Sequence, residues 1–128
     1  MLALQPLRGL VPIAHVADIA RSIAFYHQLG FETRNILKTD NHLVWAWLDN
    51  GNARLMLSRS ARSMHPGAQD VLFYLYSPEV IAYREQLANA GIKVGPIQYP
   101  PYMPEGEFRI DDPDGYCLLV GQSDEVSL

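Results

Sequence analysis

Residues 108–122 read FRIDDPDGYCLLVGQ and predict two strands joined by a tight turn. In the turn, Pro113 fixes φ and Gly115 supplies the positive φ that other residues avoid. The aspartates on either side of the proline favour local hydrogen bonds to the backbone. From Tyr116 to Val120 the side chains are almost all apolar, as is typical of a buried strand. By itself, this acidic hairpin indicates structure rather than function.

The rest of the C-terminal half places a strand, a helix and a third strand before this hairpin. Residues 71–76, VLFYLY, predict the first strand. Ser77 predicts a helix N-cap, and Pro78 suits the first helical position. Residues 92–97 predict a further strand, and a proline-rich loop at 99–104 leads into the hairpin.

The N-terminal half repeats this order in pattern, although the two halves share little residue identity. A strand at 10–16 precedes a helix that begins after the N-cap Asp18 and ends at Gly30. Three more strands are predicted at 31–38, 42–48 and 53–58.

The chain is therefore expected to be one α+β domain, residues 1–128, built from two βαβββ repeats. The first repeat covers 9–58, a polar linker covers 59–68, and the second repeat covers 69–122. Two curved mixed sheets, each with a helix on one face, would leave concave faces where a ligand can bind.

Composition excludes several classes of function. The formal net charge of −4 and the lack of a basic run argue against nucleic-acid binding. No apolar run is long enough to span a bilayer, and Met1–Leu10 lacks the features of a signal peptide, so a cytoplasmic location is expected. Cys117 is the only cysteine, so neither an internal disulfide nor a cysteine-based metal site is expected.

Two motifs give a family resemblance. Residues 15–31, HVADIARSIAFYHQLGF, resemble the opening V-x-D-x-x-x-S-x-x-F-Y-x-x-x-L-G-F of the vicinal oxygen chelate superfamily, with one residue fewer before Leu29. Residues 112–116, DPDGY, resemble the signature of that superfamily's last hairpin. The superfamily includes glyoxalase I, extradiol dioxygenases, fosfomycin-resistance enzymes and bleomycin-resistance proteins. The resemblance implies their fold but leaves the chemistry open.

Resemblance to the metalloenzymes implies four metal-ligand positions on the concave side. These fall on Val11, Met56, Leu72 or its neighbour Val71, and Leu119. Methionine is a weak ligand for soft metals, and the other three side chains are not ligands at all. Metalloenzymes of the family place a glutamate where this chain has Leu119. We therefore expect a protein with neither a metal nor another cofactor.

A longer match narrows the resemblance to one branch. Residues 107–122 fit E-F-x-x-x-D-P-D-G-x-x-L-x-x-G-Q and resemble the metal-free bleomycin-resistance proteins. That resemblance implies homodimers whose interface clefts hold a drug against aromatic side chains. Dimers would form by pairing of edge strands or by exchange of halves across the linker.

Two tryptophans are the first candidates for ligand contact. Trp45 and Trp47 share one strand face, and an Asn50–Gly51 turn would pair them with Met56 and Arg54, respectively. Indole rings in a cleft suit stacking on a planar ligand. The alternative is that both rings fill the core.

Tyrosines on the second sheet are the next candidates. Tyr74 and Tyr76 are in phase with Leu72, and Tyr102 lies on the proline-rich loop. Leu119 would lie beside them on the concave face. The alternatives are core packing for the strand tyrosines and an exposed loop position for Tyr102.

Charged and titratable residues complete the candidate site. Arg54, Glu107, Arg109 and Asp111 are candidates for orienting a polar ligand, or they pair with one another across strands. A regular turn at Pro113–Asp114 would pair Phe108 with Leu119 and turn Arg109 away, whereas a bulge would reverse this. His15 and Glu107 are the candidates for acid–base chemistry.

These features predict a small-molecule-binding protein that sequesters an aromatic or cationic ligand without chemistry. The alternative is a glyoxalase-like or dioxygenase-like enzyme (a lyase, isomerase or oxidoreductase). It would use a relocated metal site, or His15 or Glu107 as proton carrier. A third interpretation is a dimeric scaffold whose cleft is packed shut.

Overall fold

The computed structural model describes residues 3–62, 65 and 69–123. It contains seven strands and two helices within those residues. Their bounds are β1 Ile13–Val16, α1 Ile19–Gln28, β2 Glu32–Thr39, β3 His42–Asn50, β4 Ala53–Arg59, β5 Leu72–Ser77, α2 Val80–Asn89, β6 Glu107–Asp111 and β7 Cys117–Gln122. The expected α+β fold class is confirmed. The boundary between the repeats falls partly on residues 63, 64 and 66–68, which lie outside the described residues.

The strands form two mixed sheets, one from each half of the chain. Sheet A has the order β1-β4-β3-β2, and sheet B has the order β5-β7-β6. In each sheet the first strand runs parallel to the last, and the other neighbours are antiparallel. Sheet A has the connectivity of a βαβββ unit, because the helix carries the chain across from the first strand, and sheet B has the same connectivity with three strands.

Each sheet buries one face under the apolar core. Successive side chains of a strand point to opposite faces, so alternate residues share an environment. The buried side chains of sheet A are Ala14, Val16, Ala46, Leu48, Leu55 and Leu57, and those of sheet B include Phe108, Ile110, Leu118 and Val120. Ile19 and Tyr26 of α1 and Val80 and Leu87 of α2 join the same cluster. We call the opposite side of each sheet its open face.

The acidic turn at 112–116 fastens the second half to α1. Asp112 Oδ2 accepts a 2.8 Å hydrogen bond from the Tyr26 hydroxyl. Asp114 accepts hydrogen bonds from the Ala17 backbone N–H and the Ser22 hydroxyl, at 3.0 and 3.4 Å. Both aspartates are buried. The turn that sequence analysis treated as a plain hairpin therefore joins the two halves.

The two helices begin differently. Asp18 is the N-cap of α1, as expected, because its side chain accepts from the Arg21 backbone N–H. The prediction that Ser77 is the N-cap of α2 is wrong, because the helix begins at Val80. The side-chain oxygen of Gln122, at the end of β7, accepts the Val80 N–H at 2.9 Å. Neither helix has the length and apolar character needed to cross a bilayer, as judged over the described residues.

The strand predicted at 92–97 is not formed. The segment runs beside β6 but makes only an isolated bridge, between Gln98 and Glu107, and a bond from the Gly95 N–H to the Arg109 carbonyl. Pro96 has no N–H to donate, so the hydrogen-bond ladder is interrupted within this segment.

The β3–β4 hairpin has a different register from the one expected. Its two central residues are Gly51 and Asn52, with Asn50 opposite Ala53. Gly51 has φ +61° at the first central position, where type II′ turns require glycine. As a result, Trp47 lies opposite Met56 and Trp45 opposite Ser58, so both predicted pairings are wrong. The shift is two residues, and it leaves every side chain on its expected face.

Candidate functional site

The open face of sheet A carries both tryptophans. Trp45 and Trp47 are half-buried, and their strand neighbours Ala46 and Leu48 point into the core. Met56 lies between Trp47 and Ile13 across the three adjoining strands. The interpretation of the indoles as core filling is therefore wrong, because they point away from the core. They form an aromatic and apolar surface that solvent reaches.

His15 also lies on this face, near the end of β1. It is exposed and is opposite Ser58 in the parallel ladder, with Trp45 on the next strand. Its backbone carbonyl accepts a hydrogen bond from the Tyr116 hydroxyl. The imidazole is thus placed where it can meet a ligand, as its phase predicted.

The open face of sheet B holds the other candidate residues. Tyr74 lies opposite Leu119, and Arg109 lies on the other side of Leu119. Of the two alternatives for this hairpin, the regular two-residue turn that aims Arg109 away is wrong, and the reversed phase is the one formed. Asp112 Oδ1 accepts the N–H groups of Asp114 and Tyr116, which widens the turn to five residues and reverses the phase.

The strand register of each sheet determines which charged residues lie next to one another on the two open faces. Arg109 forms an ion pair with Asp111 at 2.9 Å, and both side chains are more than half exposed. Arg54 is exposed on sheet A, opposite Asp49, while Asp49 pairs with Arg34 at 2.9 Å. Exposed pairs of this kind contribute little to stability. Arg109 and Arg54 are therefore available to a polar ligand at small cost.

Glu107 is the buried charged residue of the site. It is 5% exposed, and both of its carboxylate oxygens accept hydrogen bonds from tyrosines. The Tyr74 hydroxyl donates to Oε1 at 2.8 Å, and the Tyr102 hydroxyl donates to Oε2 at 3.0 Å. The predicted role of Glu107 as a proton carrier is therefore constrained, because both oxygens are occupied.

Two tyrosines bond to this carboxylate, and a third, Tyr76, packs against the ring of Tyr74. We call Tyr74, Tyr76 and Tyr102 the tyrosine cluster. The ring centroids of Tyr74 and Tyr76 are 5.1 Å apart, and those of Tyr74 and Tyr102 are 6.5 Å apart. Burial, and then the hydrogen bond to Glu107, raise the pKa of Tyr74. The pKa of Tyr102 is also raised, chiefly by its hydrogen bond to Glu107. The hydroxyls therefore stay protonated and point inward to Glu107.

Gly121 lies directly beneath part of this cluster. A Cβ at this position would lie 2.6 Å from the Tyr74 hydroxyl oxygen and 2.7 Å from Cε of Met103. Real side chains cannot approach so closely, so only glycine lets Tyr74 and the proline-rich loop rest on β7. From the sequence, Gly121 was expected only as part of a motif. Its phase with Glu107 was the feature of the sequence that could have indicated this role.

The candidate residues line two separate hollows. A groove of about 770 Å³ lies between the β3–β4 turn and β5, and its lining includes Arg54, Leu72, Tyr74 and Tyr76. A hollow of about 400 Å³ is lined by Glu107, Arg109, Asp111, Leu119, residues 93–96 and Gln98. The linings of these two hollows include neither tryptophan nor Met56. The structure of one chain thus divides the candidate residues between two sheets.

The four positions implied for a metal do not fit one. Met56 lies on the open face of sheet A, Leu72 and Leu119 lie on that of sheet B, and Val11 precedes β1. None of the four supplies a carboxylate, imidazole or thiolate. Within residues 3–62, 65 and 69–123, no group of three or more His, Cys, Asp or Glu side chains is placed to hold a metal ion.

Comparison with known proteins agrees with this architecture. The family model described as the glyoxalase/bleomycin resistance protein/dioxygenase superfamily matches residues 11–119. Comparison with curated protein sequences gave no match.

Solved structures with the same fold are distant in sequence. A bleomycin-binding protein complexed with bleomycin has a TM-score of 0.75 at 19% identity, over 92% of this chain and 100% of its own. TnmS3, an antibiotic-binding protein from Streptomyces sp. CB03234, has a TM-score of 0.74 at 21% identity, over 97% and 100%. The Streptomyces verticillus bleomycin-binding protein complexed with copper(II)-bleomycin has a TM-score of 0.71 at 23% identity, over 94% and 100%. At these identities the likeness establishes the fold alone.

Proposed function

Since this chain belongs to the glyoxalase/bleomycin resistance protein/dioxygenase superfamily, whose shared fold serves many chemistries, we propose that it binds a small organic molecule without transforming it. The ligand would be aromatic or cationic and would lie against the open faces of the two sheets. The principal support is the side-chain chemistry of those faces. They carry methionine and leucine, at Met56, Leu72 and Leu119, where the family resemblance implies metal ligands, with tryptophan and tyrosine rings beside them.

Several features favour an aromatic or cationic ligand. The half-buried indoles of Trp45 and Trp47 offer flat apolar faces suited to stacking. Tyr74 and Tyr76 offer further rings on the other sheet. The formal net charge of −4 attracts cations modestly. Three of the structural neighbours are described as binding bleomycin or an antibiotic, which suggests drugs as the first compounds to test.

We also propose that the protein forms a homodimer. The chain exposes 8805 Å², whereas a folded monomer of its mass of 14.4 kDa exposes roughly 6,800 Å². The exposed N-terminal residues 3–10 account for part of this surplus. Ile13, Leu37 and Leu72 are each more than half exposed on the open faces. Apposing sheet A of one protomer with sheet B of its partner would cover these side chains and bring the divided candidate residues together.

Sedimentation equilibrium tests the dimer. We expect a mass of twice 14.4 kDa at micromolar concentration. Leu72→Glu introduces a charge on an exposed apolar site and should shift the equilibrium towards monomer. The matched control is Ile81→Glu, because Ile81 is similarly exposed but lies on α2. A monomer at all accessible concentrations would contradict the proposal.

Ligand titration tests the binding function. Bleomycin, copper(II)-bleomycin and a panel of planar cations would be added while tryptophan fluorescence is recorded, with calorimetry in parallel. We expect saturable quenching with at least one compound and recovery of that compound unchanged after incubation. Absence of both quenching and heat across the panel would contradict binding. Turnover of a bound compound, or stoichiometric metal in the purified protein, would instead favour the enzyme interpretation.

A further inference from the structure

The tyrosine cluster has a geometry that suggests what part of a ligand it takes. Resting on the proposed function, we infer that Tyr74, Tyr76 and Tyr102, backed by Glu107, form a subsite for an organic ammonium group. The occupant would be a quaternary or alkylated ammonium carried by the ligand.

Two of the rings are open to solvent, and two of the three hydroxyls are hydrogen-bonded to Glu107. Tyr102 is 66% exposed and Tyr76 is 49% exposed. The hydroxyls of Tyr74 and Tyr102 both donate to the Glu107 carboxylate beneath them. An incoming group therefore meets ring faces and edges first, with those two hydroxyls already paired. Rings 5.1 to 6.5 Å apart and inclined to one another offer that group a continuous aromatic surface.

Among the residues that the structure describes, the Glu107 carboxylate under the rings has no ion-pair partner. Within the described ranges 3–62, 65 and 69–123, no arginine, lysine or histidine forms an ion pair with Glu107. The nearest arginine on β6, Arg109, pairs with Asp111 instead. A buried carboxylate with only neutral donors leaves a negative potential at the surface above it. A cation placed on the rings would compensate that potential.

The same geometry selects the class of cation. A hard metal ion needs free oxygen ligands, and both oxygens of Glu107 already accept hydrogen bonds. The ring faces present a negative quadrupole and no strong acceptor, which suits a weakly hydrated cation. Donation of the phenolic hydrogens to a carboxylate makes the rings still more negative. Aromatic cages in other proteins bind methylated ammonium groups through ring faces.

The test compares choline with 3,3-dimethyl-1-butanol, in which carbon replaces the charged nitrogen. Binding of each probe to the intact protein would be measured by NMR line broadening and by calorimetry. We expect choline to bind roughly tenfold more tightly than the neutral alcohol. Glu107→Gln should remove most of that preference, since it keeps the shape and deletes the charge. Glu105→Gln, at an exposed position two residues before β6, should leave the preference unchanged.

A second variant keeps the test decisive if Glu107→Gln does not fold. Tyr76 has a half-exposed ring, so Tyr76→Leu should fold normally and should lower choline affinity about fivefold while barely affecting the alcohol. Equal binding of the two probes by the wild-type protein would overturn the inference. So would equal losses in Glu105→Gln and Glu107→Gln.

The two proposals fail in distinguishable ways. If planar compounds quench tryptophan fluorescence but choline is not preferred, the ammonium subsite is wrong and ligand binding stands. If neither occurs, the ligand-binding function itself fails.

Discussion

Replacing Asp112 by alanine is expected to lower the free energy of unfolding by about 3 kcal/mol. Its carboxylate accepts the Tyr26 hydroxyl and the backbone N–H groups of Asp114 and Tyr116. Alanine would leave two buried N–H groups and one hydroxyl without this acceptor. Because natural domains are stable by only about 5–15 kcal/mol, this loss is large. Urea denaturation followed by circular dichroism measures it.

Two matched variants separate the contributions. Tyr26→Phe deletes only the bond from the Asp112 carboxylate to α1 and should cost about 1–2 kcal/mol. Asp111→Ala removes the adjacent aspartate, which is 58% exposed and paired with Arg109, and should stay close to wild type. An unfolding midpoint of Asp112→Ala equal to that of Asp111→Ala would show that the turn does not hold the halves together.

The pH dependence of this effect has a defined sign. Burial raises the pKa of Asp112 above its ordinary value of 3.8, despite the hydrogen bonds that oppose the shift. The folded state therefore binds the proton more tightly than the unfolded state does. The stabilisation from this group is complete below pH 3.8 and is lost as the pH rises through the raised folded value. In Asp112→Asn this dependence should be absent, so the advantage of the wild type should grow on acidification from pH 7 towards pH 4.

Replacing Trp47 by alanine is expected to weaken ligand binding at least tenfold, or about 1.4 kcal/mol. Trp47 lies in the middle of the open face of sheet A, opposite Met56 on one neighbouring strand and Asn35 on the other. Removal of its ring deletes the central stacking surface. The affinity of whichever compound binds the wild type would be measured by calorimetry, because fluorescence loses one of its two reporters.

Two control variants test whether the aromatic ring of Trp47 and its position on sheet A are responsible for the effect. Trp47→Phe keeps an aromatic face and should lose less affinity than Trp47→Ala. Ile81→Ala shortens a half-exposed apolar residue on α2 and should bind normally. If Trp47→Ala binds as the wild type does, the open face of sheet A does not contact the ligand.

The fold was predictable because its signals are local. Alternation of apolar residues gave the buried faces of both sheets, and Asp18 and Gly30 gave the ends of α1. The features that the sequence did not predict depend on residues that are distant along the chain, or on the N–H group that a proline lacks. The N-terminus of α2 is capped by Gln122, 42 residues away in sequence from Val80, which no local pattern indicates. Pro96 removed one backbone donor from a segment that otherwise resembled a strand.

The sequence predicted which sheet face each candidate residue lies on, but not which residues it contacts. Period-two alternation placed Trp45, Trp47, Tyr74 and Tyr76 on the open faces, because a register error of two residues preserves the face. The sheet face on which Arg109 lies depends on the odd number of residues in the turn. That number follows from the hydrogen bonds of the Asp112 side chain. The bonds of Tyr74 and Tyr102 to Glu107 join three elements, so strand phase alone could not reveal them.

Gly121 and Gln122 together determine the alignment of β7. Gly121 fits under Tyr74 on the open face, and Gln122 reaches the N-terminus of α2 on the opposite face. A slip of one residue in either direction would put Gln122 or Val120 at the position where a Cβ would lie 2.6 Å from the Tyr74 hydroxyl oxygen. It would also move Gln122 away from the helix N-terminus that needs its acceptor. Each error alone is costly, and the slip incurs both. This dipeptide therefore excludes misaligned pairings of β7 with its neighbours and selects a single arrangement of sheet B.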